Sequence, residues 1–426
     1  MPDMFVSNTR RRRRRWPFVV AALVLLAGLG VAGYFVIYKK QDNTNNPNAE
    51  FKDDEPGFTA KKVKPETFKW PIYGFTPQRT RFLNADIAPP FKKPEWRVKA
   101  KGLIEFQPVL ANGFLYFVDN TGTAFAVNAK TGKKRWRRRI GSLNAASPAW
   151  SKKRIFVVTL KPGSVMSLDA RTGKVLWKKD LPSRAESSPI VIKDRVYFGS
   201  EDGTVYALQA NTGKKVWTYK AGGAVKAGLA YSKGLLIFGA YGGTVYALRA
   251  SNGKRVWSTA TSGREFGRSG NFYATPAIAY GRVYVGNTDG FVYSFVARTG
   301  QLAWRHGTSN YVYSAAAVGN AAGTGPTVYV GSYDGKFYAL DARDGSERWS
   351  YSEGGKLSGA PTVVGKVVYF SNFGSHTTTA LDVRRGKRVW RHKNGAFNPV
   401  ISDGRRVYLT TYSSVAAFVP RKQPKN

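Results

Sequence analysis

The sequence predicts an all-β protein: an eight-bladed β-propeller of four-stranded antiparallel blades, preceded by one N-terminal transmembrane helix. Three observations carry this reading. Tryptophans recur at Trp136, Trp177, Trp217, Trp257, Trp304, Trp349 and Trp390, spaced 40 to 47 residues apart. Each follows a glycine by four residues: Gly132, Gly173, Gly213, Gly253, Gly300, Gly345 and Gly386. Between them, short runs rich in Val, Tyr and Phe alternate with tight-turn pairs. Four short strands recurring at such a period are the signature of blades around an axis.

One repeat shows the physics. Arg195–Ser200 and Thr204–Gln209 are β-branched and aromatic, as pleated strands prefer. Asp202-Gly203 joins them as a hairpin, because glycine accepts the positive φ of a tight turn. Thr212-Gly213 turns the chain again into Lys214–Thr218, which carries Trp217, and Ser188–Ile192 supplies the first strand. The large indole is expected to fill the gap between neighbouring blades. The last segment, Asn398 to Pro420, has three strands and no Gly-x-x-x-Trp strand. Trp96, 40 residues before Trp136 and in phase with the series, sits on Pro94–Val98. That strand is expected to complete the eighth blade and close the ring.

The N-terminus reads differently. Residues 1–15 form a basic tail ending in the arginine run 10–15, and Trp16 to Tyr38 contains no charged residue. Those 23 residues span roughly 34 Å as a helix, enough for the hydrocarbon core. The excess of arginine before the span puts the tail in the cytoplasm and the propeller outside it. Residues 16–38 are therefore read as a signal-anchor helix in the cell membrane, with cleavage after a small-residue site as the rival. Residues 39–69, polar and Asn-rich, are read as a flexible linker, and residues 70–426 as the propeller.

Composition narrows the chemistry. There are 67 Lys+Arg against 26 Asp+Glu, a net charge of +41, no cysteine and three histidines. The missing cysteine excludes disulfides, thiolate metal sites and a Cys nucleophile. His306 and His392 are expected on separate outer strands and His376 in a turn, without partners for catalysis.

The stretch Ala-x-Asp-x-x-Thr-Gly-Lys-x-x-Trp is matched from Ala126, Ser167, Ala207, Ala247, Ser294, Ala339 and Ala380, with substitutions. It resembles the tryptophan-docking motif of the quinoprotein-type, PQQ-like repeat family. The stretch from Trp70 to Gly74 resembles the lead-in before such propellers. The resemblance implies the propeller and a choice of roles: PQQ-dependent dehydrogenase, the propeller lipoprotein of outer-membrane β-barrel assembly, or a sensor ectodomain. The dehydrogenases hold PQQ and Ca²⁺ at the axis and commonly carry a vicinal disulfide, which this chain lacks. No PQQ or Ca²⁺ is expected here, and no catalytic, cofactor or metal residue is assigned.

Two surfaces remain as candidates. First-to-second and third-to-fourth strand turns share one face and collect Lys133, Lys134, Lys152, Lys153, Arg154, Lys214, Lys215, Lys254, Arg255, Arg384, Arg385, Lys387, Arg388, Arg405 and Arg406. That face is read either as solvated turns whose lysines belong to the repeat or as a docking face for a polyanion, namely anionic lipid or wall polymer rather than nucleic acid. The blade-to-blade crossings on the other face carry Arg264, Phe266, Arg268, Phe272, Tyr311 and Tyr313, a composition suited to an interface or to plugging the channel. The expected function is a membrane-anchored, extracytoplasmic, non-catalytic docking scaffold for other envelope proteins. A quinoprotein-like oxidoreductase and a sensor ectodomain are the alternatives.

Overall fold

Strand pairing in the computed structural model closes eight sheets around one axis. Residues 24–26, 43–53, 67–89, 91, 93–262 and 270–420 are described. The chain divides into two compact units, Met1–Asp42 and Asn43–Asn426, and the second holds the propeller. Of the transmembrane helix expected over 16–38, only Val24–Leu26 is described; these three residues are helical and exposed, and the rest lies outside the described residues. Among the described residues no helix is long and apolar enough to cross a membrane.

Blades 1 to 7 run over residues 109–139, 149–180, 190–220, 230–260, 277–307, 317–352 and 362–393. Blade 8 takes three strands from Gly395–Phe418, and Trp96–Lys99 pairs antiparallel with Ser414–Phe418 as its outermost strand. The ring thus closes between the two ends of the propeller sequence, as the phase of Trp96 predicts. Blade 3 shows how local chemistry sets the turns. Gly203 has φ +86°, and Asp202 Oδ1 accepts from the Thr204 amide at 3.1 Å.

The joints between blades repeat one device. Trp136 Nε1 donates to Ala170 O of the next blade at 3.0 Å, and Trp177 to Ala210 O at 2.9 Å. Trp217, Trp257, Trp304 and Trp349 do the same to Ala250, Ala297, Ala342 and Val383. Gly173 serves two needs at once. Its φ of +70° suits glycine, and an added Cβ would lie 2.7 Å from the Trp136 ring, inside contact distance. Trp96 lies on Gly132 in the same way. Trp390 has no such glycine ahead of it and is met edge-on by Phe91 and Phe418. Burying each indole contributes on the order of 4–6 kcal/mol before entropy.

The channel is closed by the segment around Trp70–Gly74, whose sequence predicts only a lead-in to the propeller. Carbonyls of Pro71, Pro77, Gln78, Thr80, Arg81 and Leu83 accept amides of Trp150, Tyr231, Ile278, Val318, Val363 and Gly365, on the first strands of blades 2, 4, 5, 6 and 7 and just after that of blade 7. The inner edges would otherwise carry unpaired donors. Arg79 and Arg81 are fully buried in this plug. Arg79 donates to carbonyls of Leu229 (2.9 Å), Ser188 (3.1 Å), Pro189 (3.4 Å) and Tyr73, so backbone dipoles rather than a carboxylate solvate it. Burial, with Arg81 nearby, lowers its pKa to about 9.

The linker expected over 39–69 is docked in part. Thr44–Asn45 adds to the outer strand of blade 5, opposite Arg305 and Trp304. Arg282, at the start of the second strand of blade 5, is 1% exposed and binds the carbonyls of Ala49 and Glu50. Phe51 stacks on Tyr280 at 5.5 Å, with Arg343 4.6 Å from its ring. A buried arginine and an aromatic stack fix polar chain that composition alone reads as free.

Candidate functional site

Backbone hydrogen bonds tie the two kinds of turn together at one end of blades 1 to 7, as between Ala170 N and Lys153 O, or Ala210 N and Asp194 O. Lys133, Lys134, Lys152, Lys153, Lys214, Lys215, Lys254, Arg255, Arg384, Arg385, Lys387, Arg388 and Arg405 are exposed there. Arg406 departs from this set: it is 7% exposed and paired with Glu95 at 2.8 Å. Arg154 is half-buried, and Arg384 donates to Ala322 O. The acidic turns of the opposite face are mostly spent on their own backbone. Asp119 caps Thr121 and Thr123, and Asp334 accepts from Tyr338 Oη at 2.6 Å and from Ser309 N.

On that opposite face, Tyr311 and Tyr313 stand among half-buried rings. Tyr313 lies 4.8 Å from Tyr333 and 5.8 Å from Tyr273, and Tyr311 lies 5.9 Å from Tyr313. Lys356 Nζ sits 5.6 Å from the Tyr333 ring. Tyr311 is 50% exposed. Phe272 does not belong to this surface. It is fully buried, packed where a side chain on Gly239 would be, and edge-on to Tyr293. Its crossing turns inward to fill blade 4, so it is a core residue. Arg264, Phe266 and Arg268 lie outside the described residues.

Where the crossings converge on the axis they leave a cavity of about 220 Å³, walled by Tyr73, Phe106, Tyr273, Tyr313, Tyr333 and Phe397, with Glu105, Lys226 and Asn398 supplying polar atoms. Glu105 was missed by reading the sequence. Burial, with a smaller push from Glu186, raises its pKa to about 7. Glu186 is 8% exposed, and burial raises its pKa against the pull of Lys226. Lys226 bridges Glu186 and Glu201 at 3.0 Å each. Burial opposes its charge, but the two carboxylates outweigh that and hold its pKa above the ordinary value. Asn398 ties the rim together, donating to Glu105 O at 2.7 Å and accepting from Tyr73 Oη at 3.2 Å.

A signal for this cavity does exist in the repeats. Gln107-Pro108, Ser147-Pro148, Ser188-Pro189, Thr275-Pro276, Ala360-Pro361 and Asn398-Pro399 stand at equivalent places. The residue three before each proline is Glu105, Ala145, Glu186, Tyr273, Ser358 and Ala396, and Lys226 and Tyr313 hold the matching places in the other two blades. Glu353, a carboxylate between blades, does not reach the axis; it pairs with Arg391 at 3.0 Å and accepts from Thr379. His306 is not a surface residue. It is 6% exposed, with Nδ1 3.0 Å from Gly345 O.

The axis is a poor match to a quinone with a divalent cation. Among the described residues no three His, Cys, Asp or Glu converge as a metal cluster. Of the carboxylates at the axis, Glu186 is committed to Lys226, and Arg81 lies 4.7 Å from the ring of Tyr73, where positive charge opposes a cation of charge two.

Comparison with known proteins agrees with this architecture. The family model described as outer membrane protein assembly factor BamB matches residues 89–208, 143–227 and 201–423. The outer membrane protein assembly factor BamB of Salmonella typhimurium is 27% identical over 136 residues, covering 32% of this chain and 26% of that protein. The chain thus spans about a quarter of that relative's length. Among solved structures, BamB from Moraxella catarrhalis superposes with TM-score 0.64 at 18% identity, over 79% of this chain and 100% of that one. A europium-containing methanol dehydrogenase superposes with TM-score 0.69 at 16% identity, over 84% and 98%. At such identities both likenesses speak for the fold alone. This chain belongs to the PQQ-like repeat propeller family described as outer membrane protein assembly factor BamB.

Proposed function

We propose that this chain is a membrane-anchored, extracytoplasmic, non-catalytic scaffold that docks other envelope proteins on its crossing face and works without PQQ or Ca²⁺. The observation that carries this reading is the cluster of Tyr311, Tyr313 and Tyr333 beside Lys356, half-exposed on neighbouring crossings. Tyrosines offer large contact area at low entropic cost and are favoured at the centres of interfaces. Membership of a family described by an assembly factor supports the same reading, and so does an axis whose charges suit neither quinone nor metal. The anchor rests on the uncharged run from Trp16 to Tyr38.

A photo-crosslinking residue at position 311, activated in native membranes, tests the proposal. A defined set of envelope proteins captured at 311, and not at position 254 on the opposite face, is the expected result. Equal capture at both positions would sink it. A second reading concerns that opposite face, where exposed turn lysines and arginines support contact with anionic lipid or wall polymer. Flotation with anionic vesicles should then weaken steeply as salt rises, whereas binding indifferent to salt would reject this contact.

A further inference from the structure

The axial cavity has a chemistry that docking by the outer tyrosines leaves unused. Its 220 Å³ is the share of about seven waters at ~30 Å³ each, room for a lysine or arginine side chain together with a few waters. Six aromatic rings form much of its wall, and aromatic faces attract cations. Among the described residues no hydrogen bond or ion pair reaches the Glu105 carboxylate, and the neighbouring charge that acts on it, Glu186, has the same sign. Lys226 does not answer it, since that ammonium is held by Glu186 and Glu201.

Each class of ligand can be weighed against these groups. An anion would face Glu105 across a low-dielectric pocket. A neutral apolar ligand would strip water from the carboxylate and give nothing in return. A divalent metal would find a single uncommitted carboxylate where it needs several oxygens. An organic monocation meets both the rings and the charge. We propose that the axial pocket receives an alkylammonium or guanidinium group of lysine or arginine side-chain size, held against Glu105 between the rings of Tyr273, Tyr313 and Phe397. That this group belongs to a docked protein rests on the scaffold reading; a free amine is the other source of the same chemistry. Arg79 and Arg81, buried beyond Tyr73, oppose the incoming charge and keep the affinity modest.

Titration of the intact chain in detergent with N-acetyl-arginine amide and N-acetyl-lysine amide, read by calorimetry, tests the pocket. N-acetyl-citrulline amide, the neutral isostere of the first, serves as control. Saturable binding of at least one cationic amide is expected, with citrulline at least tenfold weaker and Glu105→Gln at least tenfold weaker at a melting temperature no lower than that of the wild type. Should Glu105→Gln fail to fold, Lys226→Met decides instead. Freeing Glu186 should preserve or tighten amide binding, and loss of binding would mean that the ligand is held through its neutral amide groups by Lys226 rather than through its charge, which overturns the proposal. Equal affinity for citrulline, an unaffected Glu105→Gln, or no saturable binding overturns the proposal.

A photo-crosslinker at position 397 separates the two sources. Protein adducts that vanish in the Glu105→Gln background assign the cation to a partner's side chain. No adducts, with amide binding intact, assign it to a small amine. Adducts from position 311 without amide binding would remove the pocket and leave the docking surface, whereas amide binding without those adducts would do the reverse.

Discussion

The joints between blades and the axis they surround are built on opposite plans. At the joints, six tryptophans donate to the same backbone position of the next blade, and seven lie on a glycine that leaves room for the ring. At the axis, one equivalent position is filled by Glu105, Ala145, Glu186, Lys226, Tyr273, Tyr313, Ser358 and Ala396, so the repeats diverge there almost completely. The contrast teaches where each kind of information sits. Copies that must pack on copies keep one solution, while the single place where all eight meet is free to be asymmetric and chemically particular.

The sharpest way to break this contrast is to attack a joint. Trp304 is fully buried and donates to Ala342 O at 3.0 Å. Trp304→Ala should cost about 3–5 kcal/mol in denaturant unfolding, and the partly exposed Trp136→Ala visibly less. Equal losses at the two would mean that the joints are not graded by burial.

Arg79→Met probes the axis from below. It removes an unpaired buried charge, a gain, but orphans carbonyls of Leu229, Ser188 and Pro189, which cost about 1–3 kcal/mol each when unmet. The loss should win, for a net destabilisation of roughly 2–4 kcal/mol in the same unfolding experiment. A stabilised variant would show the guanidinium to be a burden on the fold.

Glu105 gives the axis a pH signature that the joints lack. Its folded pKa of about 7 lies above the ordinary 4.5, so the neutral form is favoured by folding. Its contribution is complete below about 4.5 and disappears as pH rises through about 7. At ~1.4 kcal/mol per unit the ceiling is near 3 kcal/mol. Stability of the wild type should therefore fall across that window on account of this group, and Glu105→Gln should flatten the slope. An unchanged slope would place the titration elsewhere.

Smaller effects test the edges. Phe51→Ala should release the strap over 43–53, speeding hydrogen exchange at the amides of Asn46 and Lys52 by about tenfold with little change in global unfolding. Tyr311→Ala should shift stability by less than about 0.5 kcal/mol, since half its surface is already in water, yet abolish the protein adducts captured from a photo-crosslinker at the neighbouring position 333. A large stability loss there would turn the docking tyrosine into a core residue, as Phe272 proved to be.

The difference between Phe272 and Tyr311 explains how far residues alone could go. Both were singled out as aromatic residues on crossings, but one points into blade 4 and the other toward solvent. Composition cannot separate them, because the direction of a side chain on an irregular crossing depends on which strand it lands against. Arg406 and Arg282 tell the same story among the basic turns. Each sits where its neighbours are exposed, and each is buried because a distant segment, Glu95 or residues 49–50, returns to cover it. The plug is the largest case. Nothing local to Trp70–Leu83 says that its carbonyls will meet the first strands of five blades.

What the sequence determined by itself was the periodic part: eight blades, the tryptophan joints, the turn glycines and the closing strand at Trp96. Each depends on residues within one repeat or its immediate neighbour, and every copy restates the same packing. Only the tertiary structure decided the plug with its buried arginines, the docked strap, the fate of individual basic and aromatic residues, and the cavity holding Glu105. Those features join segments tens to hundreds of residues apart, and their energies come from burial and pairing that exist only once the ring has closed.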